Sequence, residues 1–397
     1  MHDNKNRNHM LYLCGAPRVS TRPTASLGGP RSHIIYVIQT MKKFGWKVDK
    51  YIVGDHVPEK WLSHDIEREL KSVWIKRLLA DLYRILSGFI NSWRANKKYR
   101  DVELVYERLA SFQAMGFLFK LRKIPWILET NGLYYVEAAT YRKSIILSSV
   151  AKIIENFVYK QCDVLICITE TLKNLIIKEF SIDSEKIIIV PNGVDIDFFD
   201  PSRYQPKRFF KELSIGYVGH LFKYYALDML ISSLAELRNE GIEMNLVIIG
   251  GGPMMSEWEN LVLKFSLDKQ VRFTGQIPMS EIPSHILGFD IGFAGTGYVY
   301  TGESYHSLTK IYEYMSMGRP VIASKFEETI RVIRQNETGF LYKKGDKEDL
   351  KKAIRMAYSQ KNRWNKMGGL ARKDMIENHS WTSRINDMVE NMNGILH

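Results

Sequence analysis

The stretch HSLTKIYEYMSMGRPVIAS, residues 306–324, contains a helix followed by a buried strand. Ser307 can cap the helix start, Gly318 can end the helix, and Pro320 opens a β-branched run typical of a strand. One apolar stripe at helical spacing is formed by Leu308, Ile311, Tyr312 and Met315. The stretch therefore predicts one α/β unit of a parallel sheet.

A second stripe of the same helix is only partly apolar. It contains Lys310 and Glu313 together with Tyr314 and Met317. An ammonium and a carboxylate three residues apart can form a surface ion pair, and near a helix start they can instead receive a ligand. The residues alone leave both interpretations open.

Apolar, strand-like runs alternate with helical segments along both halves of the chain. In the first half these runs are 10–14, 48–53, 102–106, 126–128, 164–168 and 187–190. In the second half they are 215–218, 246–249, 271–273, 291–293, 321–323 and 340–342. The alternation predicts an α/β fold with two doubly wound, Rossmann-like domains, each a parallel sheet covered by helices on both faces.

The proline-rich stretch PNGVDIDFFDPSRYQPK, residues 191–207, interrupts the alternation and predicts a linker. We therefore expect a first domain at residues 1–200, a second at 208–375, and a C-terminal helix at 376–397 that packs back on the first. Ligands of parallel sheets bind outside the carboxyl ends of the strands, so a cleft between two facing domains is the expected active site.

The chain of 397 residues has a formal net charge of +12 and three cysteines. Residues 1–200 hold 30 Lys and Arg against 22 Asp and Glu, so the first half carries +8 of this charge. No helix-turn-helix, zinc-finger or aromatic-basic RNA-binding pattern is present, so nucleic acid is not an expected partner. Cys14, Cys162 and Cys167 lie in or beside apolar runs and are expected to be reduced core residues of a cytosolic protein.

Residues 61–100 form a long helical region with basic residues between its apolar positions. These apolar positions are Trp74, Leu78, Leu82, Ile85, Leu86, Phe89 and Trp93. We expect the stripe to face the core and the basic side to be solvated, while an interfacial helix on anionic lipid is the alternative. No run reaches the ~18 apolar residues of a membrane span. The expected location is the cytoplasm, with peripheral association with the inner face of the membrane left open.

Glycines follow several of the predicted strands: Gly28, Gly29, Gly219, Gly251 and Gly275. Glycine lets a backbone approach a ligand closely, and a helix start beyond it favours phosphate. The chain lacks both GxxxxGK[ST] and a GxGxxG after its first strand, which argues against a phosphate-loop ATPase and a dehydrogenase. Asp195-Ile196-Asp197 matches a metal-holding pattern, but a solvated turn explains these acids, so no metal or cofactor is expected.

Eight motifs carry a resemblance to a known family: LGGPRSH, CDVLICITETLKNLI, KIIIVPNGVDIDFF, IGYVGH, LVIIGGGP, VRFTGQIP, SLTKIYEYMSMGRPVIAS and NETGFLY. In this order they resemble the retaining glycosyltransferases of family 4, which have the GT-B architecture. The resemblance runs from about residue 28 to residue 381. It implies transfer of a sugar from a nucleotide-sugar donor to an acceptor, with retention at the anomeric carbon and without a bound metal.

The resemblance implies a donor site made of strand ends and one helix start. In it, Glu313 binds the ribose hydroxyls of the nucleotide, because a carboxylate accepts two vicinal hydroxyls well. The other implied donor-binding residues are Ser307, Leu308, Thr309, Lys310, Gly219, Gly251, Gly275, Ile277, Gly28 and Gly29. The helix start would serve the diphosphate, and the turn at residues 275–277 would hold the base.

Three departures from the family pattern affect these roles. Members often carry a second glutamate eight positions before Glu313, where this chain has Tyr305, with Glu303 two residues away. The usual arginine position after IGYVGH holds Phe222, which leaves Lys223 as an implied cation for the leaving diphosphate.

The third departure lies in ILETNGLYYVEA of the first domain, where Glu129 and Asn131 replace the family's histidine. Asn131 can hydrogen-bond a sugar hydroxyl but cannot act as a base, so Glu129 is the expected helper base, with a turn cap as its alternative. The expected enzyme uses a UDP- or GDP-sugar and a glycan, lipid-linked or small-molecule acceptor, in polysaccharide or glycoconjugate synthesis. A nucleotide-sugar 2-epimerase-like isomerase and a non-catalytic nucleotide-sugar-binding scaffold are the alternatives.

Overall fold

The computed structural model describes residues 9–25, 29–58, 74–141, 143–296, 305 and 308–396. The chain divides into two compact units. The first comprises Met1–Pro191 together with Arg384–His397, and the second comprises Asn192–Ser383. The C-terminal residues therefore belong to the first unit, although the chain reaches them through the second.

The first unit is built on six parallel strands. They are β1 (His9–Cys14), β2 (Lys47–Ile52), β3 (Leu104–Arg108), β4 (Trp126–Thr130), β5 (Val164–Cys167) and β6 (Ile187–Ile189), in the sheet order β2-β1-β3-β4-β5-β6. The helices are α1 (Gly29–Lys43), α2 (Trp74–Lys98), α3 (Phe117–Lys120), α4 (Tyr134–Val136), α5 (Ser148–Gln161) and α6 (Glu170–Phe180). Because β1, β3 and β4 are neighbours, the residues that end them meet at one edge of the sheet.

The second unit contains a second six-stranded parallel sheet. Its strands are β7 (Ser214–Val218), β8 (Asn245–Ile249), β9 (Val271–Gly275), β10 (Ile291–Ala294), β11 (Val321–Lys325) and β12 (Gly339–Lys343), in the order β12-β11-β10-β7-β8-β9. Its helices are α7 (Leu227–Arg238), α8 (Met255–Lys264), α9 (Ile282–Gly288), α10 (Thr309–Ser316), α11 (Glu327–Val332), α12 (Lys347–Ser359) and α13 (Trp364–Asn378). The last helix, α14 (Trp381–Leu396), begins in this unit and ends in the first.

Alternate residues of the second sheet enter two separate cores. Leu246 and Ile248 of β8 pack into one cluster, while Val247 and Ile249 pack into another. This is the period-two alternation of a strand with both faces covered. The prediction of two doubly wound α/β domains is confirmed, and each of the twelve predicted strands is present.

Helix α10 largely follows its sequence pattern. Its predicted apolar stripe is buried, and Gly318 adopts φ +67 just beyond the helix end, where its N–H donates to the carbonyl of Met315. The helix begins at Thr309 after Leu308. The predicted cap Ser307 lies outside the described residues.

Helix α2 contradicts its sequence prediction. Most of the apolar stripe expected to face the core is exposed, including Leu82, Phe89 and Trp93. The buried residues of the helix are instead polar or small: Asp81, Gly88, Asn91, Ser92 and Ala95. The stripe faces outward because hydrogen bonds made by Asp81, Asn91 and Ser92 hold the opposite face against the unit.

The three cysteines are free and buried, as predicted. Within the described part of the chain, no helix combines the length and hydrophobicity that crossing a bilayer requires.

Candidate active site

Glycines cluster at the carboxyl ends of the adjacent strands β7, β8 and β9. The Gly219 N–H donates to the carbonyl of Ile249 at 2.9 Å, and the Gly250 N–H donates to the carbonyl of Gly275 at 2.9 Å. The next residue, Gly251, accepts a hydrogen bond from the N–H of Leu221 at 3.1 Å. The structure therefore brings the predicted residues Gly219, Gly251 and Gly275 to one sheet edge.

Two of these positions require glycine. Gly219 has φ +146, and a Cβ there would lie 2.4 Å from Cε of Lys310. Gly250 has φ +133, and a Cβ there would lie 1.9 Å from the carbonyl oxygen of Gly219. Side chains at either position would clash with this edge, so its surface is formed by backbone.

Helix α10 starts beside this glycine edge. Leu308 is buried before its first turn, and Thr309, the first helical residue, is exposed. Ile277, predicted to hold the base, is half-buried and packs against the same core cluster as Leu308 and Ile311. The positive end of the α10 dipole therefore lies beside Gly219 on this glycine edge.

Lys310 reaches from α10 toward the end of β7. Its Nζ donates to the hydroxyl of Tyr217 at 3.1 Å and lies 3.4 Å from the centroid of the Tyr225 ring. Burial lowers the pKa of Lys310 to about 7, against the raising effect of Glu313. The contacts that the structure describes for Nζ of Lys310 are with Tyr217 and Tyr225, and they include no ion pair with the carboxylate of Glu313.

Glu313 lies one turn after Lys310 and is half-buried. Its carboxylate makes no hydrogen bond to any residue that the structure describes. Burial raises the pKa of Glu313 to about 7, while the charge of Lys310 acts to lower it. A carboxylate that is desolvated and without described donors gains from the hydroxyl groups of a ligand.

The expected cation Lys223 is exposed in the short turn Lys223–Tyr225 that follows β7. Tyr225, the last residue of this turn, is the residue whose ring contacts Lys310. Phe222 stacks on Tyr224 with ring centroids 5.6 Å apart. The turn thus supplies one exposed ammonium and a set of aromatic rings beside Lys310.

Tyr305, which stands where the family often has a second glutamate, is buried. Glu303 lies outside the described residues, and so does Gly28. Gly29 is the first residue of α1.

In the first unit, a buried polar cluster surrounds Glu129 at the end of β4. Its Oε2 accepts hydrogen bonds from Nε2 of His33 at 2.9 Å and from the Tyr106 hydroxyl at 2.6 Å. Its Oε1 accepts from Arg108 at 2.9 Å and from Nδ2 of Asn131 at 2.7 Å. Glu129 and Asn131, both predicted from the sequence, are therefore in direct contact.

The pKa of Glu129 is held well below its usual range. Burial acts to raise it, but the charges and hydrogen bonds of His33 and Arg108, with the Tyr106 hydroxyl, outweigh that effect. A carboxylate bound by four donors accepts a further proton poorly. This geometry favours Glu129 as a group that positions its neighbours over the expected role of helper base.

Sequence reasoning missed His33 and Arg108. His33 lies in α1, and Arg108 is the last residue of β3. Arg108 could have been predicted, because it is a charged residue at the carboxyl end of a buried strand, where ligands of parallel sheets bind. No sequence pattern indicated that a histidine 96 residues away contacts Glu129.

The Asp195-Ile196-Asp197 pattern forms a turn. Oδ1 of Asp195 accepts the N–H groups of Asp197 at 3.1 Å and Phe198 at 2.9 Å. Across the described residues, no group of three or more His, Cys, Asp or Glu side chains is placed to hold a metal ion. The expectation that the protein works without a metal stays a prediction.

Two family descriptions match consecutive parts of the chain. Residues 27–198 match Glycosyltransferase Family 4, and residues 200–374 match Glycosyl transferases group 1. The chain is a glycosyltransferase of family 4 with the GT-B fold. The resemblance drawn from the motifs is confirmed, and so is the expectation of a hexosyl-transferring enzyme.

Relatives of this glycosyltransferase include two proteins that match most of its length. An uncharacterized glycosyltransferase of Methanocaldococcus jannaschii is 22% identical over 72% of this chain and 73% of its own. The UDP-Gal:alpha-D-GlcNAc-diphosphoundecaprenol alpha-1,3-galactosyltransferase of Escherichia coli is 25% identical over 85% of this chain and 83% of its own.

Solved structures share the fold at low sequence identity. A glycosyltransferase from Rickettsia africae is 18% identical, has a TM-score of 0.69 and covers 98% of this chain and 99% of its own. Anabaena HepE in complex with UDP-glucose is 12% identical, has a TM-score of 0.62 and covers 97% of this chain and 99% of its own.

Proposed function

We propose that this glycosyltransferase transfers a hexose from a UDP- or GDP-sugar, with retention of anomeric configuration, to a glycan, lipid-linked or small-molecule acceptor. The reaction would belong to polysaccharide or glycoconjugate synthesis. The observation that carries the proposal is Glu313, a desolvated carboxylate without described donors, one turn into a helix that starts beside three glycine-bearing strand ends.

The donor nucleotide fits the second unit by its chemistry. A vicinal diol supplies two hydroxyl donors to the carboxylate of Glu313. The diphosphate finds backbone at Gly219 and Gly251, the start of α10, and the ammonium of Lys310. A bound diphosphate would keep Lys310 protonated, since a neighbouring anion raises the pKa that burial has lowered to about 7.

The charge that develops on the leaving diphosphate would be stabilised by Lys310, Lys223 and the helix start. In the front-face displacement that we propose, the bond from the anomeric carbon to the diphosphate breaks as the acceptor oxygen bonds on the same face. The acceptor proton passes to a departing diphosphate oxygen. No protein base is required, which agrees with the low proton affinity of Glu129.

The polar cluster of the first unit is the proposed acceptor region. Glu129 fixes His33 and Asn131 by hydrogen bonds at 2.9 and 2.7 Å. Imidazole and carboxamide groups held in this way can bind sugar hydroxyls. The basic first half of the chain suits an acceptor that carries phosphate, such as a lipid-linked sugar.

Two of the similar proteins support a uridine nucleotide as the donor. The Escherichia coli relative is named for UDP-galactose, and Anabaena HepE was solved with UDP-glucose. A thermal-shift screen of UDP-, GDP- and ADP-sugars tests this, because a ligand that binds only the folded state raises the melting temperature.

The deciding variant is Glu313→Ala, with Glu348→Ala on the exposed start of α12 as its matched control. We expect Glu313→Ala to lower kcat/KM for the donor by at least about tenfold without any loss of thermal stability. The control should behave as the wild type, and EDTA should leave turnover unchanged. Wild-type kinetics for Glu313→Ala would refute the donor-site assignment, and conversion of the donor sugar into its 2-epimer without acceptor would indicate the epimerase reaction instead.

A further inference from the structure

Helix α2 presents a broad apolar face to solvent, and the donor and acceptor chemistry does not use it. The exposed residues recur at helical spacing: Ile75, Leu79, Leu82, Leu86, Phe89 and Trp93. The exposed fraction of Phe89 is 69%. Contiguous exposed apolar surface of this kind marks a place where another surface binds.

The outward direction of this face is fixed by the opposite side of the helix. Asp81 is fully buried, and its Oδ2 accepts the N–H groups of Ile146 at 2.7 Å and Leu147 at 3.0 Å. The Ser92 hydroxyl donates to the carbonyl of Met115 at 3.0 Å. A rotation that turned the apolar stripe inward would break these hydrogen bonds. Such a rotation is unfavourable, because a buried polar group without a hydrogen-bond partner costs free energy.

Two further contacts hold the buried face of α2 against the first unit. Oδ1 of Asn91 accepts the hydroxyl of Tyr51 at 2.9 Å. Gly88 packs so closely that a Cβ there would lie 2.7 Å from Oε1 of Gln113. The buried face of α2 is therefore narrow, polar and specific to its neighbours.

Further apolar side chains are exposed on the segment to which α2 is hydrogen-bonded and on the helix that follows it. They are Ile146, Val150, Ile153 and Phe157. Ile146 supplies one of the two N–H groups that Asp81 accepts, so it lies next to α2. This contact is with the buried face of α2, so Val150, Ile153 and Phe157 form a further exposed apolar patch on α5.

The charges of α2 suit an anionic partner. The helix contains six basic residues and one acidic residue, Asp81, which is buried and paired with Arg84. Lys76 and Arg94 are exposed and lie five helical turns apart on one flank of the apolar stripe. Lys97 lies over the ring of Trp93, 5.3 Å from its centroid. Long basic side chains beside an apolar face can reach phosphate while their stems stay in apolar surroundings.

We propose that the exposed face of α2 docks on an anionic lipid surface, with the helix lying in the headgroup region. The helix is about 37 Å long at 1.5 Å per residue, and it carries too many charges to cross a bilayer. Its Trp74, Tyr83 and Trp93 are exposed and are of the residue types enriched at the membrane–water interface. The proposal rests on this surface alone and holds whichever sugar the enzyme transfers.

Flotation of the full chain with vesicles tests the proposal directly. Vesicles of phosphatidylcholine are compared with vesicles in which about a third of the lipid is phosphatidylglycerol. We expect the wild type to bind the anionic vesicles. Phe89→Glu should lower that affinity at least about tenfold, because one apolar contact is replaced by a charge. The matched control is Leu263→Glu on α8, which is 65% exposed and should bind as the wild type.

The variant Lys76→Gln tests how much the basic residues contribute to vesicle binding, and Lys352→Gln on α12 is its control. Lys76→Gln should weaken binding to anionic vesicles about fivefold, the effect of one basic residue near such a surface, and should leave binding to neutral vesicles unchanged. Melting temperatures show that each variant is folded.

Three results would overturn the proposal. The first is a wild-type protein that does not float with anionic vesicles. The second is equal loss of binding in Phe89→Glu and in Leu263→Glu. The third is a wild-type dimer that Phe89→Glu converts to a monomer while vesicle binding is absent, because the face would then bind a second copy of the chain.

Discussion

Glu129 in the first unit and Glu313 in the second are both desolvated carboxylates, yet the pKa of the first is lowered and that of the second is raised. The difference lies in their donors. Glu129 accepts hydrogen bonds from four side chains, two of them basic, whereas Glu313 has no described donor and only the charge of Lys310 nearby. Burial alone therefore does not indicate what a carboxylate does.

The two environments indicate different duties. The carboxylate of Glu129 is hydrogen-bonded by four side chains of the protein, and these bonds hold His33, Arg108 and Asn131 in place. Glu313 has no hydrogen-bond donor among the described residues, so hydroxyl groups of a ligand would give it bonds that this part of the chain does not. We infer that the first cluster is pre-organised and that the second is organised by its ligand.

The largest effect should come from Glu129→Ala. It leaves Arg108 buried without its carboxylate, and breaking such a buried pair costs about 3–5 kcal/mol of unfolding free energy. Urea unfolding followed by tryptophan fluorescence measures it. Glu240→Ala, which removes an exposed carboxylate paired with Arg355, is the control and should change stability little. Equal losses in the two variants would mean that the cluster is not the stabilising element inferred here.

An intermediate effect is expected from Gly219→Ala. The new Cβ would displace Lys310, so affinity for the nucleotide-sugar should fall about tenfold, equal to about 1.4 kcal/mol. Gly241→Ala is the control, because Gly241 also has positive φ, +77, but open space around it. Calorimetric titration with the donor measures both variants. Unchanged affinity in Gly219→Ala would place the diphosphate away from Lys310.

The two carboxylates should also differ in how they make stability depend on pH. The pKa of Glu313 is raised from 4.5 to about 7 in the folded protein, so its ionisation destabilises the fold progressively as pH rises through that window. The lowered pKa of Lys310 acts oppositely, adding stability as pH rises from about 7 to 10.5. Glu129, with its lowered pKa, stabilises the fold above pH 4.5 and loses that contribution below it.

Urea unfolding of wild type and Glu313→Gln across pH 4.5 to 7 isolates the Glu313 contribution. Glutamine stays neutral, so the variant should gain stability relative to wild type across this window and keep a constant advantage above it. A constant difference at every pH would show that Glu313 titrates with an ordinary pKa.

The fold and one half of the candidate site were predictable from the sequence. Apolar strand runs of three to six residues, separated by helical segments, predicted both sheets, because local periodicity indicates which faces are buried. Glu313, Lys310 and the glycines were found because they lie within single motifs at strand ends. The cluster around Glu129 was found only in part, because His33 and Arg108 come from different elements.

The sequence by itself predicted a helical region at residues 61–100 with one apolar stripe and six basic residues between its apolar positions. Only the tertiary structure decided which way that stripe faces. Periodicity defines the faces of a helix relative to one another, but hydrogen bonds from Asp81, Asn91 and Ser92 to distant residues choose the buried face. The same reason applies to Glu129, whose ionisation depends on His33 and Arg108, residues that only the folded chain brings beside it.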